Sequence, residues 1–146
     1  MPSLNPDLKK IFFTIKSIFL NSGNFEVILV LQKTSKKKEE KIKTEFSKNN
    51  LKIISDSGEG ISRARNLAIK AAIGKWILLL DDDVHINNNL FLEINKNLSD
   101  QDLFYYGNVL IRGTKNHYVR YFIINKDINL WSYNRICSVS LIINRK

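Results

Sequence analysis

Two hydrophobic rhythms alternate along the first half of the chain, one with helical spacing and one nearly continuous. Leu8, Ile11, Phe12, Ile15, Ile18 and Phe19 recur every three or four residues, the period of an amphipathic helix. Asn5-Pro6-Asp7 ahead of them offers an N-cap, a proline for the first helical position and an acid for the first turn, so a helix is expected from Pro6 to about Asn21, stopped at Gly23. Phe25 to Leu31 is an unbroken apolar run apart from Glu26, which reads as a short strand buried on both faces. A second helix follows from Ser35 to about Lys48, then a strand from Leu51 to Ser55 and a loop, Asp56 to Gly60, containing two glycines. A third helix, from near Ser62 to Gly74, carries Ala64, Leu67, Ala68, Ala71 and Ala72 on a slim face suited to packing on a sheet. Lys75 to Leu80 is the next strand. Beyond Val84 a short helix is expected from Asn87-Asn88-Asn89 through Leu98. Leu103 to Ile111, Tyr118 to Ile124 and Cys137 to Ile143 look like strands whose order the pattern leaves open.

Helix and strand in alternation, joined by short loops, predict an α/β fold with a doubly wound, mostly parallel sheet. Ligands of such sheets bind beyond the carboxyl ends of the strands. Asp81-Asp82-Asp83 lie at that edge, directly after Trp76-Ile77-Leu78-Leu79-Leu80. Three adjacent carboxylates at the end of a buried strand repel one another unless a cation or open water relieves them, and a divalent metal is the natural relief. The Gly58–Gly60 loop should reach the same edge, with the start of the third helix offering amide donors and Arg63 and Arg65 adding positive charge. A carboxylate-bound metal facing a cationic helix start would cradle a diphosphate.

Composition narrows the field. With 146 residues, 44% of them hydrophobic, the chain suits one globular domain over 1–146. One cysteine, Cys137, and two histidines, His85 and His117, give neither an internal disulfide nor zinc-ligand spacing. No apolar stretch is long enough to span a membrane and no signal peptide is evident, so a cytoplasmic location is expected. The formal net charge of +9 is concentrated in lysines between Lys33 and Lys48, interleaved with Glu39, Glu40 and Glu45 like a solvated helix face. Without arginine or aromatic interleaving there, nucleic acid is not expected as a partner.

Gly60-Ile61-Ser62-Arg63-Ala64-Arg65-Asn66-Leu67-Ala68-Ile69, followed by Ala72-Ile73-Gly74-Lys75-Trp76-Ile77-Leu78-Leu79-Leu80-Asp81-Asp82-Asp83, resembles the family 2 glycosyltransferases. The shared pattern is a glycine, a serine, Ala-Arg-Asn, a helix ending in glycine, an aromatic-aliphatic strand and Asp-x-Asp. Pro2-Ser3-Leu4-Asn5 is similar to the family's Pro-Thr-Tyr-Asn turn, and Ser138 to Arg145 to its acceptor-side strand. The resemblance implies a nucleotide-sugar-binding fold of GT-A type and a divalent ion, Mg or Mn. It also implies sugar transfer with inversion from a nucleotide sugar, expected to be a UDP-sugar, to a polysaccharide or lipid-linked glycan. By the same resemblance Asp83 would bind metal, Asp81 would lie near metal or ribose, and Asp82, Arg65 and Gly60 would line the donor site. A lipid-linked acceptor would place the chain at the inner face of the cell membrane, where the basic second helix could touch anionic headgroups.

Three departures accompany the match. The family's usual first strand is expected to be lacking, because the chain starts immediately before Pro2. Val30-Leu31-Gln32-Lys33 stands where the family has Val-Asp-Asp-Gly, so an amide would meet the base. The acid that would deprotonate the acceptor has no counterpart, which leaves the catalytic residue unknown. The chain thus resembles the front portion of a transferase trimmed at both ends, and the alternative expectation is a non-catalytic remnant that binds nucleotide or metal weakly.

Overall fold

The computed structural model describes residues 1–97, 104–106, 109–110, 117–118 and 141–145. Its contacts group into two compact units, Met1–Gly74 with Asp81–Asn97, and Lys75–Leu80 with Leu98–Lys146.

In the first unit a parallel sheet of order β1-β2-β3 is formed by β1 (Pro2–Leu4), β2 (Val27–Gln32) and β3 (Leu51–Asp56). The expectation that the first strand is lacking is corrected here: Pro2–Leu4 is a strand, paired with Val30–Gln32. Its ladder begins at Met1, whose carbonyl accepts from Val30 N at 3.0 Å and whose amine donates to Ile28 O at 2.9 Å. Three residues are too few to display a strand period.

All six residues of β2 are buried, as expected of a strand covered on both faces. On one face α3 (Ile61–Ala71) sets Ala64 and Ala68 against Ile28 and Val30, with Leu67, Ala71 and Ala72 beside them. Alanines allow the helix backbone to come close to the sheet, so the slim face read from the sequence is the one that packs. The remaining helices of the unit are α1 (Leu8–Phe19), α2 (Lys36–Glu45) and α4 (Leu90–Asn97).

α1 starts two residues later than Pro6, because Asp7, not Asn5, is its cap: the Asp7 carboxylate accepts from Lys9 N at 2.9 Å. Asn5 takes a left-handed backbone, φ 48°, which asparagine tolerates. The helix buries Ile11, Ile15 and Ile18 as expected, together with Thr14 and Ser17. α2 is capped by Ser35 and stops at Phe46, whose ring meets Phe12 of α1 edge-on at 5.4 Å.

In the second unit β4 (Trp76–Leu78) pairs antiparallel with β8 (Leu141–Asn144), which also pairs antiparallel with β5 (Phe104–Tyr106). β6 (Val109–Leu110) and β7 (His117–Tyr118) form a separate antiparallel pair. Most of the expected strand from Tyr118 to Ile124, and the residues from Cys137 to Ser140, lie outside the described residues.

Candidate donor-binding site

The register of the parallel sheet aligns Leu4, Gln32 and Asp56 in one row at the carboxyl edge, where open α/β sheets bind ligands. The segment following each strand collects at this row. Asn5 N donates to Gln32 O at 2.9 Å, and Gln32 Nε2 donates to Asp56 Oδ2 at 2.8 Å and toward Gly60 O at 3.4 Å. Gln32 is buried, so pairing its amide with a carboxylate and a carbonyl removes the cost of an unsatisfied donor.

Asp56 is the hub of the Asp56–Gly60 loop. Its side chain is 5% exposed and takes a forked bond from Arg63, with Nε at 3.0 Å and Nη2 at 2.9 Å, as well as Gly58 N at 3.1 Å. The Arg63 guanidinium, then Gln32 and the Gly58 amide, hold the Asp56 carboxyl well below the usual carboxylate range. Seven residues separate Arg63 from the acid it clamps. A depressed carboxyl contributes stability that is complete above its unfolded value near 4 and disappears as pH falls toward its folded value. Melting temperature measured from pH 5 down to pH 2 should therefore fall more steeply for the native chain than for Asp56→Asn. Parallel curves would remove the clamp from the account.

Gly60 opens α3 with φ 108° and ψ 136°, a backbone that side chains rarely adopt. A methyl there would meet nothing within 4 Å, so the strain of Gly60→Ala is conformational. It should cost about 1–3 kcal/mol of unfolding free energy. At Gly58 the obstacle differs, because an added methyl would meet Arg63 Nε. Gly58→Ala should break the Asp56 fork yet destabilise less than Gly60→Ala, since a long side chain can move aside. Denaturant titration of the two variants checks the order.

The three aspartates turn to different partners. Asp81 Oδ1 accepts from Arg65 Nη2 at 3.0 Å, with 16% of the arginine side chain and 31% of the aspartate exposed. Asp82 accepts from Ser3 Oγ through its carboxylate and from Thr14 Oγ1 through its backbone carbonyl, the latter at 3.0 Å. Asp83 is 52% exposed and faces Lys10 Nζ at 3.6 Å. Distribution over an arginine, a hydroxyl and a lysine relieves the mutual repulsion of the carboxylates. Burial, and after it the Arg65 guanidinium, push the nearby Met1 amine down to about 6.

The helix face that sequence periodicity left out positions this turn. Thr14 holds Asp82 O, and Ser17 Oγ accepts from Ile86 N at 3.2 Å while donating to Thr14 O at 2.7 Å. Two polar residues inside an apolar helix face were the available signal. His85 lies against Phe13 with the rings tilted by 40° and their centroids 5.0 Å apart, and Asn66 is exposed on α3.

Arg65 and Gly60 thus lie on the same helix start as expected, and Arg65 joins that start to Asp81. Among the described residues Arg65 Nε is buried with no hydrogen-bond partner, and an unpaired guanidinium N–H is unfavourable unless a ligand completes it. Among the described residues no three His, Cys, Asp or Glu side chains converge as a preformed metal cage. The donor set nevertheless suits Mg or Mn shared with a diphosphate, since such ions take one or two carboxylates and complete their shell with phosphate oxygens and water. Asp83, exposed and only loosely paired, fits that role. Asp81 has one oxygen committed to Arg65.

Residues 1–140 match glycosyl transferase family 2. The chain is 33% identical over 111 residues to the Escherichia coli UDP-Glc:alpha-D-GlcNAc-diphosphoundecaprenol beta-1,3-glucosyltransferase WfgD, covering 74% of this chain and 43% of that protein. It is 36% identical over 94 residues to an uncharacterized glycosyltransferase of Rickettsia bellii, covering 61% of this chain and 14% of that one. Among solved structures it resembles S. aureus TarS 1-349, with TM-score 0.58, 25% identity, and coverage of 65% of this chain and 29% of that one. The same protein in complex with UDP matches with TM-score 0.56 at 23% identity, over 64% of this chain and 29% of that one. The chain therefore spans less than half the length of these relatives. A parallel sheet with its polar residues gathered at the carboxyl edge, matched over nearly the whole sequence by one family, makes this chain a member of glycosyl transferase family 2 with a GT-A type fold.

Proposed function

We propose that this chain supplies the donor-binding part of a transferase that moves a sugar from a UDP-sugar to a lipid-linked glycan, with inversion at the anomeric carbon. The observation that carries the reading is Arg65. Its guanidinium is tied on one side to Asp81, leaves Nε unpaired on another, and sits at the opening of α3 beyond the parallel strands. Arg65 and Asp81 would hold the nucleoside end of the donor, the Gly60 turn would give its backbone to the diphosphate, and Asp83 would hold Mg or Mn. Held there, the ion would supply charge neutralisation for a departing diphosphate. Asp82 acts indirectly in this reading, its bonds to Ser3 and Thr14 keeping the turn in place. The acceptor's general base is unassigned.

A UDP donor and a lipid-linked acceptor are favoured by the E. coli relative's name, and UDP also by the ligand of the TarS complex. An acceptor of that kind would bring the chain into contact with the inner face of the cell membrane. Thermal melting tests donor binding: UDP with Mn at a hundredfold excess over Kd should stabilise the fold by about 2.7 kcal/mol. Release of UDP from a UDP-sugar in the presence of a lipid-linked acceptor tests transfer. Stabilisation without release would leave a nucleotide-binding remnant, and no stabilisation would overturn the reading.

A further inference from the structure

We propose that the outward stripe of α1, Lys9, Phe13, Lys16 and Leu20, is a docking face for an anionic lipid bilayer. This rests on the reading of a lipid-linked acceptor and specifies which surface meets the membrane. The four positions are spaced four, three and four residues apart, so they share one side of the helix. The inner side is already filled by Ile11, Ile15 and Ile18. Phe13 and Leu20 are nevertheless 51% and 62% exposed, with Leu92 of α4 also exposed. Apolar side chains set between lysines on one helix face are the pattern of interfacial helices, in which rings and aliphatic groups enter the acyl boundary and ammonium groups meet the headgroups.

Charge complementarity selects the occupant. Between Asp7 and Lys48 the chain carries ten lysines against five acids and no arginine. α2 flanks the stripe through the Lys16–Glu45 ion pair at 2.6 Å and displays Lys36, Lys37 and Lys41 to solvent. Clustered lysines of this kind are drawn to an anionic leaflet. The position is also suited to the chemistry. Phe13 lies against His85, two residues beyond Asp83, and Lys10, one turn before Phe13, faces the Asp83 carboxylate. A bilayer on this stripe would present a membrane-anchored diphosphate acceptor at the border of the donor site.

Vesicle flotation tests the proposal, using the 146-residue chain with phosphatidylglycerol–phosphatidylcholine vesicles or phosphatidylcholine alone. The native chain should float with the anionic vesicles and much less with the neutral ones. Phe13→Ser combined with Leu20→Ser should weaken anionic-vesicle binding at least about tenfold, the effect of removing two inserting side chains. Because both residues are exposed, the double variant should keep its melting temperature and its UDP-induced rise. Equal flotation of variant and native chain overturns the proposal, as does absence of flotation by the native chain. Self-association that the double variant abolishes, without vesicle binding, would assign the stripe to a second copy and also overturn it. Flotation is independent of UDP, so a native chain that floats but gains no stability from UDP and Mn would sink the donor-site reading alone.

Discussion

Asp83→Asn is expected to lower UDP-sugar turnover about a hundredfold or more while leaving the fold almost untouched. The two halves of that expectation have separate causes. The carboxylate is half exposed and its ion-pair partner among the described residues is Lys10 at 3.6 Å, an arrangement that contributes between ~0 and 1 kcal/mol. Unfolding free energy should therefore move by no more than about 0.5 kcal/mol. On the proposed function, turnover would depend instead on stabilising the leaving diphosphate, where loss of one electrostatic partner typically costs about 10²–10³ in rate. Steady-state kinetics over a range of Mn concentrations, beside a urea titration of the same preparations, separates the effects. Full activity in the variant would remove Asp83 from the site.

Arg65→Ala should damage both fold and function. The arginine is mostly buried and paired to a partly buried acid, so truncation leaves Asp81 without its cation, at a cost of about 2–3 kcal/mol. It also removes the unpaired Nε that a ligand would complete. The UDP-induced rise in melting temperature should vanish, and kcat/KM should drop by about a hundredfold, equivalent to ~2.7 kcal/mol of transition-state stabilisation. Arg65→Lys offers the discriminating comparison. It restores a cation for Asp81 but not a planar fork, so stability should recover in part while UDP binding remains weak. If lysine restored both, Arg65 would be acting as a plain counter-charge.

Much of the fold was readable because β2 and α3 carry strong local signals. A continuous apolar run marks a strand covered on both sides, and an alanine-lined helix ending in glycine has few other uses. The Gly60–Asp83 pattern pointed to the family for the same reason, since spacing and residue type agreed over some two dozen positions. What escaped was held together by tertiary contacts. Thr14 and Ser17 break the apolar period of α1, yet they are buried because they bind the backbone of the acid turn at Asp82 and Ile86. The Asp56–Arg63 clamp closes a loop, and neither residue announces its partner. Gln32, standing where the family has an acid, bonds its amide to Asp56 and Gly60, partners that the sequence does not announce.

Lys33 illustrates a further kind of miss. It occupies the place of the family's glycine and adopts φ 51°, with its ammonium 2.6 Å from Glu59. A left-handed lysine is unfavourable by about 1–2 kcal/mol; neighbouring structure sustains it, and residue preference alone would not have found it. The acid triplet was read as relieved by a cation or open water, with a divalent metal as the natural choice. In the folded chain much of its charge is met by Arg65, Ser3 and Lys10, so an ion would be shared with the donor and need not be present beforehand.

Calorimetric titration with UDP, with and without Mn, in the native chain and in Asp83→Asn, addresses that central claim most directly. Mn should tighten UDP binding by about tenfold or more in the native chain, ~1.4 kcal/mol of coupling, and should leave the variant's affinity unchanged. Equal tightening in both proteins, or UDP binding indifferent to Mn in the native chain, would contradict a metal held between Asp83 and the donor diphosphate.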